Sequence, residues 1–270
     1  MENLFNVNGK VMVITGGAGI LGRGMCEYMC SQGAKVAILD LGKDAGETLQ
    51  NSLTDKGYTA KSYVANVLNA ESLEAVAKEV LADFGTIDII VNAAGGNMGG
   101  ATIGPDQTIL DLEIDAFRKV VDLNLFGTVM PTMVLLKLLK DNKQLSIINI
   151  SSESALRPLT RVVGYGAAKA AVTNFTKFLA TELATKFGEG FRVNAMAPGF
   201  FLTEQNRTLM TNPDGSLTAR GQSIIAHTPF GRFGSPDELF GTLHWLASDA
   251  SKFVTGTLTV IDGGFDVFCI

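Results

Sequence analysis

The sequence predicts an α/β fold: a doubly wound parallel sheet with helices on both faces. Two observations carry this. Short β-branched apolar runs alternate with longer segments of 3.6-residue apolar period from Val11 to about Pro198. The runs are apolar nearly throughout, as parallel strands buried on both faces are. A third observation sets the organisation. The 30 glycines fall between the periodic segments, and no composition shift, charge block, repeat or low-complexity stretch interrupts the 270 residues. One domain over 1–270 is therefore expected.

The elements follow in order. Val11 to Thr15 (VMVIT) is a strand that ends in glycines, and Leu21 to Ser31 is the helix after it. Lys35 to Leu39 repeats the strand style, Ala70 to Phe84 the helical period, and Ile87 to Val91 the strand again. Ser146 to Ile150 and Arg192 to Met196 are strands on either side of a long helical pattern from Tyr165 to Lys186. A last strand fits Thr257 to Ile261. Alternation of this kind builds right-handed βαβ units.

Composition removes several function classes. Hydrophobic residues make up 46%, charged residues 18% and the formal charge is −5, so the chain has a sizeable core and no overall attraction for nucleic acid or an anionic membrane. The most apolar helical stretch, Met130 to Leu139, is interrupted by Pro131 and Lys137, and no transmembrane span is expected. The start, MENLFNVNGK, lacks a basic stretch followed by an apolar block, so no secretory signal is read and the expected compartment is cytoplasmic. Three cysteines and two histidines support neither a disulfide framework nor a metal site. Cys26 and Cys30, four apart, fit small buried residues on one helix face.

The turn after the first strand reads Thr15-Gly-Gly-Ala-Gly-Ile-Leu-Gly22. Gly17, Gly19 and Gly22 spell GxGxxG between a strand and a helix. Such glycines allow a tight turn, close approach of backbone to a pyrophosphate, and close helix–strand packing, with helix N–H groups facing the anion. Asp40 closes the next strand 18 residues past Gly22. A carboxylate there can accept from both ribose hydroxyls and repels a 2′-phosphate; as a bare residue it also suits a turn before Leu41-Gly42. Motif and spacing together predict a Rossmann-type dinucleotide site. With no cation at position 41, NAD is expected over NADP.

Tyr165 and Lys169, at i and i+4, share a helix face, and Ser152 lies 13 residues upstream at a strand end. An ammonium about 4 Å from a phenol is worth roughly 4 kcal/mol at an effective dielectric of 20, or about three pKa units. That would let a tyrosine exchange protons near neutral pH while the serine holds a substrate oxygen. Taken alone, a Tyr-Lys pair is also an ordinary surface pair.

In combination these motifs resemble the short-chain dehydrogenase/reductase family over essentially the whole chain. The resemblance rests on Tyr165-x-x-x-Lys169, Ser152, Asn92-Ala93-Ala94-Gly95, Asn124 in Asp-Leu-Asn-Leu-Phe-Gly127, and Pro198-Gly199-Phe-Phe201-Leu-Thr203. It implies that Tyr165 is the general acid/base and that Lys169 lowers its pKa and binds nicotinamide ribose. It implies that Ser152 orients the reacting oxygen and Asn124 maintains a water-mediated proton path. Gly16, Gly19, Ile20, Leu21, Gly22, Asp40, Asn66, Val67, Asn92 to Gly95, Pro198, Gly199, Phe201 and Thr203 would join Tyr165 and Lys169 in holding the cofactor. Two positions depart from the family pattern. Ile20 occupies the middle glycine slot of TGxxxGxG. Asn66 stands where an Asp commonly contacts adenine, and its amide oxygen can still accept that hydrogen bond.

The stretches expected to set the substrate are 96–112, 152–165 and 200–231, with about 199–231 serving as a lid. They resemble the D-mannonate oxidoreductase (fructuronate reductase) branch, which implies ketone/alcohol interconversion on a small-molecule hexuronate. Their amides, hydroxyls and arginines suit a polyhydroxy acid. Arg157, Arg161 and Arg207 are the candidates for its carboxylate, although each alone also fits a solvated loop residue. A related gluconate or keto-gluconate dehydrogenase would share every catalytic residue. A binding module without catalysis and a methyltransferase both leave the Ser152–Tyr165–Lys169 spacing unexplained. The family implies a homotetramer, for which the Thr173 to Leu183 face or the apolar tail Phe265 to Ile270 could serve.

Overall fold

The computed structural model describes residues 3–204 and 206–269. Gln205, within the expected lid, and Ile270, at the end of the apolar tail, lie outside the described residues. Seven strands form one parallel sheet: β1 (Val11–Thr15), β2 (Lys35–Asp40), β3 (Ala60–Val64), β4 (Ile89–Asn92), β5 (Leu145–Ile150), β6 (Phe191–Pro198) and β7 (Leu258–Ile261). Their spatial order is β3-β2-β1-β4-β5-β6-β7. The connections therefore run outward in one direction from β1 and in the other from β4. Such a reversal opens a crevice at the carboxyl ends of the strands, where α/β folds bind ligands.

Alternation along each strand sends side chains into two separate cores. Met12, Ile14, Val36, Ile38 and Ile148 face one side, packed with Met25 and Met29 of α1 (Ile20–Ser31). Val13, Ala37, Leu39 and Ile147 face the other. There they meet Val76 and Val80 of α3 (Ala70–Phe84), which follows α2 (Lys43–Thr54), and Leu179 and Leu183 of α6 (Val163–Phe187). Cys26 and Cys30 are buried in the first core as small apolar residues, free of any disulfide. Among the described residues no group of three or more His, Cys, Asp or Glu is placed to hold a metal.

α4 (Ile114–Val121), a π-helical turn over Asp122–Phe126, and α5 (Gly127–Leu139) form one continuous helical stretch. At 26 residues the stretch is long and apolar enough to cross a membrane, despite Pro131 and Lys137. Half of its most apolar window is buried inside the fold, and Thr128, Thr132, Leu135 and Leu139 are among its buried side chains. Past β6 the chain forms α7 (Arg207–Met210), α8 (Ala219–Ala226) and α9 (Phe240–Ala247) before β7 closes the sheet.

Candidate active site

The crevice is a cleft of about 720 Å³, running from the glycine loop and Asp40 to Ser152, Tyr165 and Thr203. Two glycines make its floor. Gly16 has φ +65, and a Cβ there would lie 2.8 Å from the Ala94 Cα. At Gly22 a Cβ would run into the Gly16 carbonyl oxygen. Turn, helix and the strand β4 exit therefore approach as closely as backbones can. Ile20 fills the family's glycine slot without conflict, because it begins α1 with its side chain at the cleft wall, 44% exposed.

Asp40 sits at the end of β2. Its carboxylate accepts from Ala18 N at 3.0 Å and Gly42 N at 3.0 Å while bordering the cleft. The turn role and the cleft role thus coincide in one side chain. Asn66 and Val67 line the cleft beyond it, and Asn66 Oδ1 accepts from Leu68 N at 2.9 Å. A carbonyl oxygen retains a second lone pair for a ligand.

Gly19, Leu21, Ala93, Ala94, Gly95, Pro198, Gly199, Phe201 and Thr203 also line the cleft. Asn92 does not. Its Nδ2 donates to Thr132 Oγ1 and Asn149 Oδ1, both at 2.8 Å, so the side chain ties β4 to its neighbours beneath the floor. Leu39, Leu41, Ala65, Leu68, Phe200 and Asn206 line the cleft without having been singled out from sequence. Asn206 had a readable signal three residues after Thr203. Its Oδ1 accepts from Thr203 N at 2.8 Å and its Nδ2 donates to Phe201 O at 2.8 Å, stapling the turn.

At the far end Ser152 and Tyr165 face the cleft, with Lys169 and Asn124 directly behind. A Cβ on Gly95 would lie 2.6 Å from Asn124 Oδ1 and 3.3 Å from Lys169 Nζ, so these groups share one small volume. Asn124 is fixed in the π-helical turn. Its Oδ1 accepts from Gly96 N at 3.1 Å, and its Nδ2 donates to Gly96 O at 2.7 Å and Val120 O at 2.8 Å.

The Tyr165–Lys169 electrostatics differ from the expectation. Lys169 Nζ lies 5.6 Å from the Tyr165 ring centroid and donates to Ile150 O at 2.7 Å. Burial raises the Tyr165 pKa, a hydrogen bond with Ser152 pulls it back down, and burial lowers Lys169 to about 8. The ammonium is aimed at a backbone carbonyl and not at the phenol oxygen, so desolvation outweighs attraction.

The three predicted arginines do not line the cleft. Arg157 donates to Phe268 O at 2.9 Å and pairs with Asp266 at 3.7 Å. Arg207 pairs with Glu204 at 3.0 Å. Arg161 Nε donates to Ile103 O at 2.7 Å.

A family model described as Enoyl-(Acyl carrier protein) reductase matches residues 16–266. The chain belongs to the short-chain dehydrogenase/reductase family. It is 42% identical over 269 residues to the Uncharacterized oxidoreductase UxuB of Bacillus subtilis (strain 168), covering 96% of each chain. It is similar to a solved Haemophilus influenza protein with bound NAD, provisionally assigned as a D-mannonate oxidoreductase. The TM-score is 0.92 at 37% identity, over 98% of this chain and 97% of that one. A gluconate 5-dehydrogenase from Burkholderia cenocepacia J2315, solved in complex with NADP and tartrate, matches at TM-score 0.86 and 30% identity over 98% of both chains. The chain is thus a nicotinamide dinucleotide-dependent oxidoreductase acting on CH–OH groups.

Proposed function

We propose that this short-chain dehydrogenase/reductase interconverts a ketone and a secondary alcohol on a sugar acid, with D-fructuronate and D-mannonate as the pair and NAD(H) as the cofactor. The observation that carries the substrate class is the near-complete superposition on the NAD-bound protein provisionally assigned to D-mannonate. The gluconate 5-dehydrogenase, another sugar-acid enzyme, favours a second reading, gluconate/5-keto-gluconate, on the same catalytic groups.

The cleft fits the cofactor, since the Gly16–Gly22 cradle would be filled by any Cβ at either glycine. Bound nicotinamide would supply or accept the hydride. Tyr165 passes the proton at the substrate oxygen, and Ser152, on the same cleft wall, fixes that oxygen. Lys169, cationic at neutral pH, holds the nicotinamide ribose. Asn124 positions Lys169 by framing Gly95 and Gly96, and supports the water path for the proton. Asp40 at the ribose end disfavours a 2′-phosphate, and Leu41 offers no counter-charge. Segment 199–231 acts as a lid over both ligands. The chain assembles as a homotetramer.

The test is oxidation of NADH and NADPH over fructuronate, tagaturonate, 5-keto-gluconate and neutral ketoses. The expected result is highest kcat/KM with fructuronate and NADH. Equal kcat/KM for NADH and NADPH removes the Asp40 argument, and preference for a neutral ketose removes the sugar-acid reading.

A further inference from the structure

A second hollow, about 380 Å³, lies beside the cleft and is lined in part by Arg157, Arg220, His227, Phe200 and Phe265. Phe200 lines both hollow and cleft, which places the hollow next to the reacting end. Two of the three stretches expected to set the substrate line the hollow, and the third is tied to Arg161. Segment 152–165 contributes Arg157 to Thr160, and segment 200–231 contributes Phe200, Arg220 and His227. Segment 96–112 is clasped to Arg161 in both directions: Arg161 Nε donates to Ile103 O at 2.7 Å, and Ile103 N donates to Arg161 O at 3.0 Å.

The charges at this place are unbalanced. Arg157 is committed to Asp266. Arg161 and Arg220 pair with no carboxylate among the described residues, and Arg220 makes no hydrogen bond to any of them. Arg220 lies in the first turn of α8, a turn with no acidic residue, where the helix dipole opposes a cation. Burial, and then the charge of Arg161, hold its guanidinium below the ordinary value. Arg161 adopts φ +77, the left-handed region, alone among the described non-glycine residues. Strain and like charge gathered at one point, without local compensation, mark a site built for something else. A carboxylate between the two guanidinium groups would neutralise both and accept forked hydrogen bonds.

We propose that Arg220, with Arg161 beside it, grips the carboxylate end of the substrate and thereby selects acids over neutral ketoses. The assignment rests on the sugar-acid reading above and names a residue that the sequence did not single out.

The experiment compares wild type with R220M, R161M and R220K, reading kcat/KM for a hexuronate and for a neutral ketose, with NADH binding by fluorescence titration as the folding control. A charge-assisted hydrogen bond corresponds to about 10- to 150-fold. R220M and R161M should each lower the acid-to-neutral ratio by that factor, mainly through KM, with NADH binding unchanged. R220K should recover part of the loss, since lysine keeps the charge without the fork. A wild type active on the acid, with a ratio unmoved in R220M, overturns this assignment alone. A wild type that reduces only neutral ketoses overturns it together with the sugar-acid reading. If R220M loses NADH binding as well, R220K decides: intact NADH binding with an unchanged ratio overturns the assignment, and a reduced ratio supports it.

Discussion

Tyr165 carries the sharpest prediction at the residue scale. Its phenol is the titratable group beside Ser152 at the reacting end of the cleft, so Tyr165→Phe should lower kcat by about 10²–10⁴-fold, the usual contribution of a positioned acid/base. NADH affinity, read by fluorescence titration, should stay near wild type. Retention of more than half the activity would exclude Tyr165 as the proton carrier. Glu153 gives a second prediction. It follows Ser152, is 1% exposed, and neither carboxyl oxygen has a hydrogen-bond partner. Burial, then Asp266 and Asp262, push its pKa from 4.5 to about 7, against a lowering by Arg157. Because the folded state holds this proton more tightly, the stabilisation is complete below pH 4.5 and is lost as pH rises through about 7. At about 1.4 kcal/mol per pKa unit the loss is roughly 3 kcal/mol. Glu153→Gln should flatten that slope in urea unfolding measured at pH 5 and pH 8. An unchanged slope would place the proton elsewhere. Ser152, Tyr165 and Lys169 were legible in sequence because their spacing encodes their meeting. The direction of the Tyr165 shift was not, because desolvation depends on chain far from residues 165–169.

The glycine loop shows at the element scale what a local motif can and cannot encode. Glycines after a strand announced the turn, and GxGxxG named Gly22, where a Cβ would run into the Gly16 carbonyl oxygen, yet it passed over Gly16, which has the positive φ, meets Ala94 and was named only through the family resemblance. The neighbour that makes Gly16 obligatory is Ala94, nearly eighty residues away. Gly16→Ala should therefore abolish tight NADH binding, by more than about 10-fold, beyond the 1–2 kcal/mol that a left-handed alanine costs. Gly57 supplies the control, with φ +83 and open space around its missing Cβ. Gly57→Ala should lower thermal stability and leave NADH binding intact; if both variants bind NADH normally, the close approach to Ala94 is not required. Strand ends agreed with the sequence to within two residues for β1, β2 and β4 to β7. β3 was not singled out, because only Ala60 and Tyr63 of its five residues are buried while Lys61 and Val64 are exposed. An edge strand has no need of the continuous apolar run that revealed the others.

For the whole molecule, several large apolar residues are left outside the two cores. Phe178 on α6 is 65% exposed, and Met133 and Leu138 on α5 are 45% and 40% exposed. Phe178 falls within the Thr173 to Leu183 face. If that face joins protomers, Phe178→Glu should shift sedimentation toward smaller species, with far-UV circular dichroism unchanged. A distribution identical to wild type would exclude the face as an interface. Sheet layout has a further consequence, in time. β1 pairs with β2 on one side and with β4 on the other, where Met12 meets Ile89. Translation at about 5–20 residues per second delivers β4 roughly 4–15 seconds after β1. During that interval the nascent chain carries a β3-β2-β1 half-sheet whose β1 border is an unclaimed template for any passing strand. Ala94, which backs Gly16, follows β4, and Lys169 is made later still. A growing chain therefore displays its glycine loop long before it can hold a nucleotide, and NADH cannot assist the first half of its own folding.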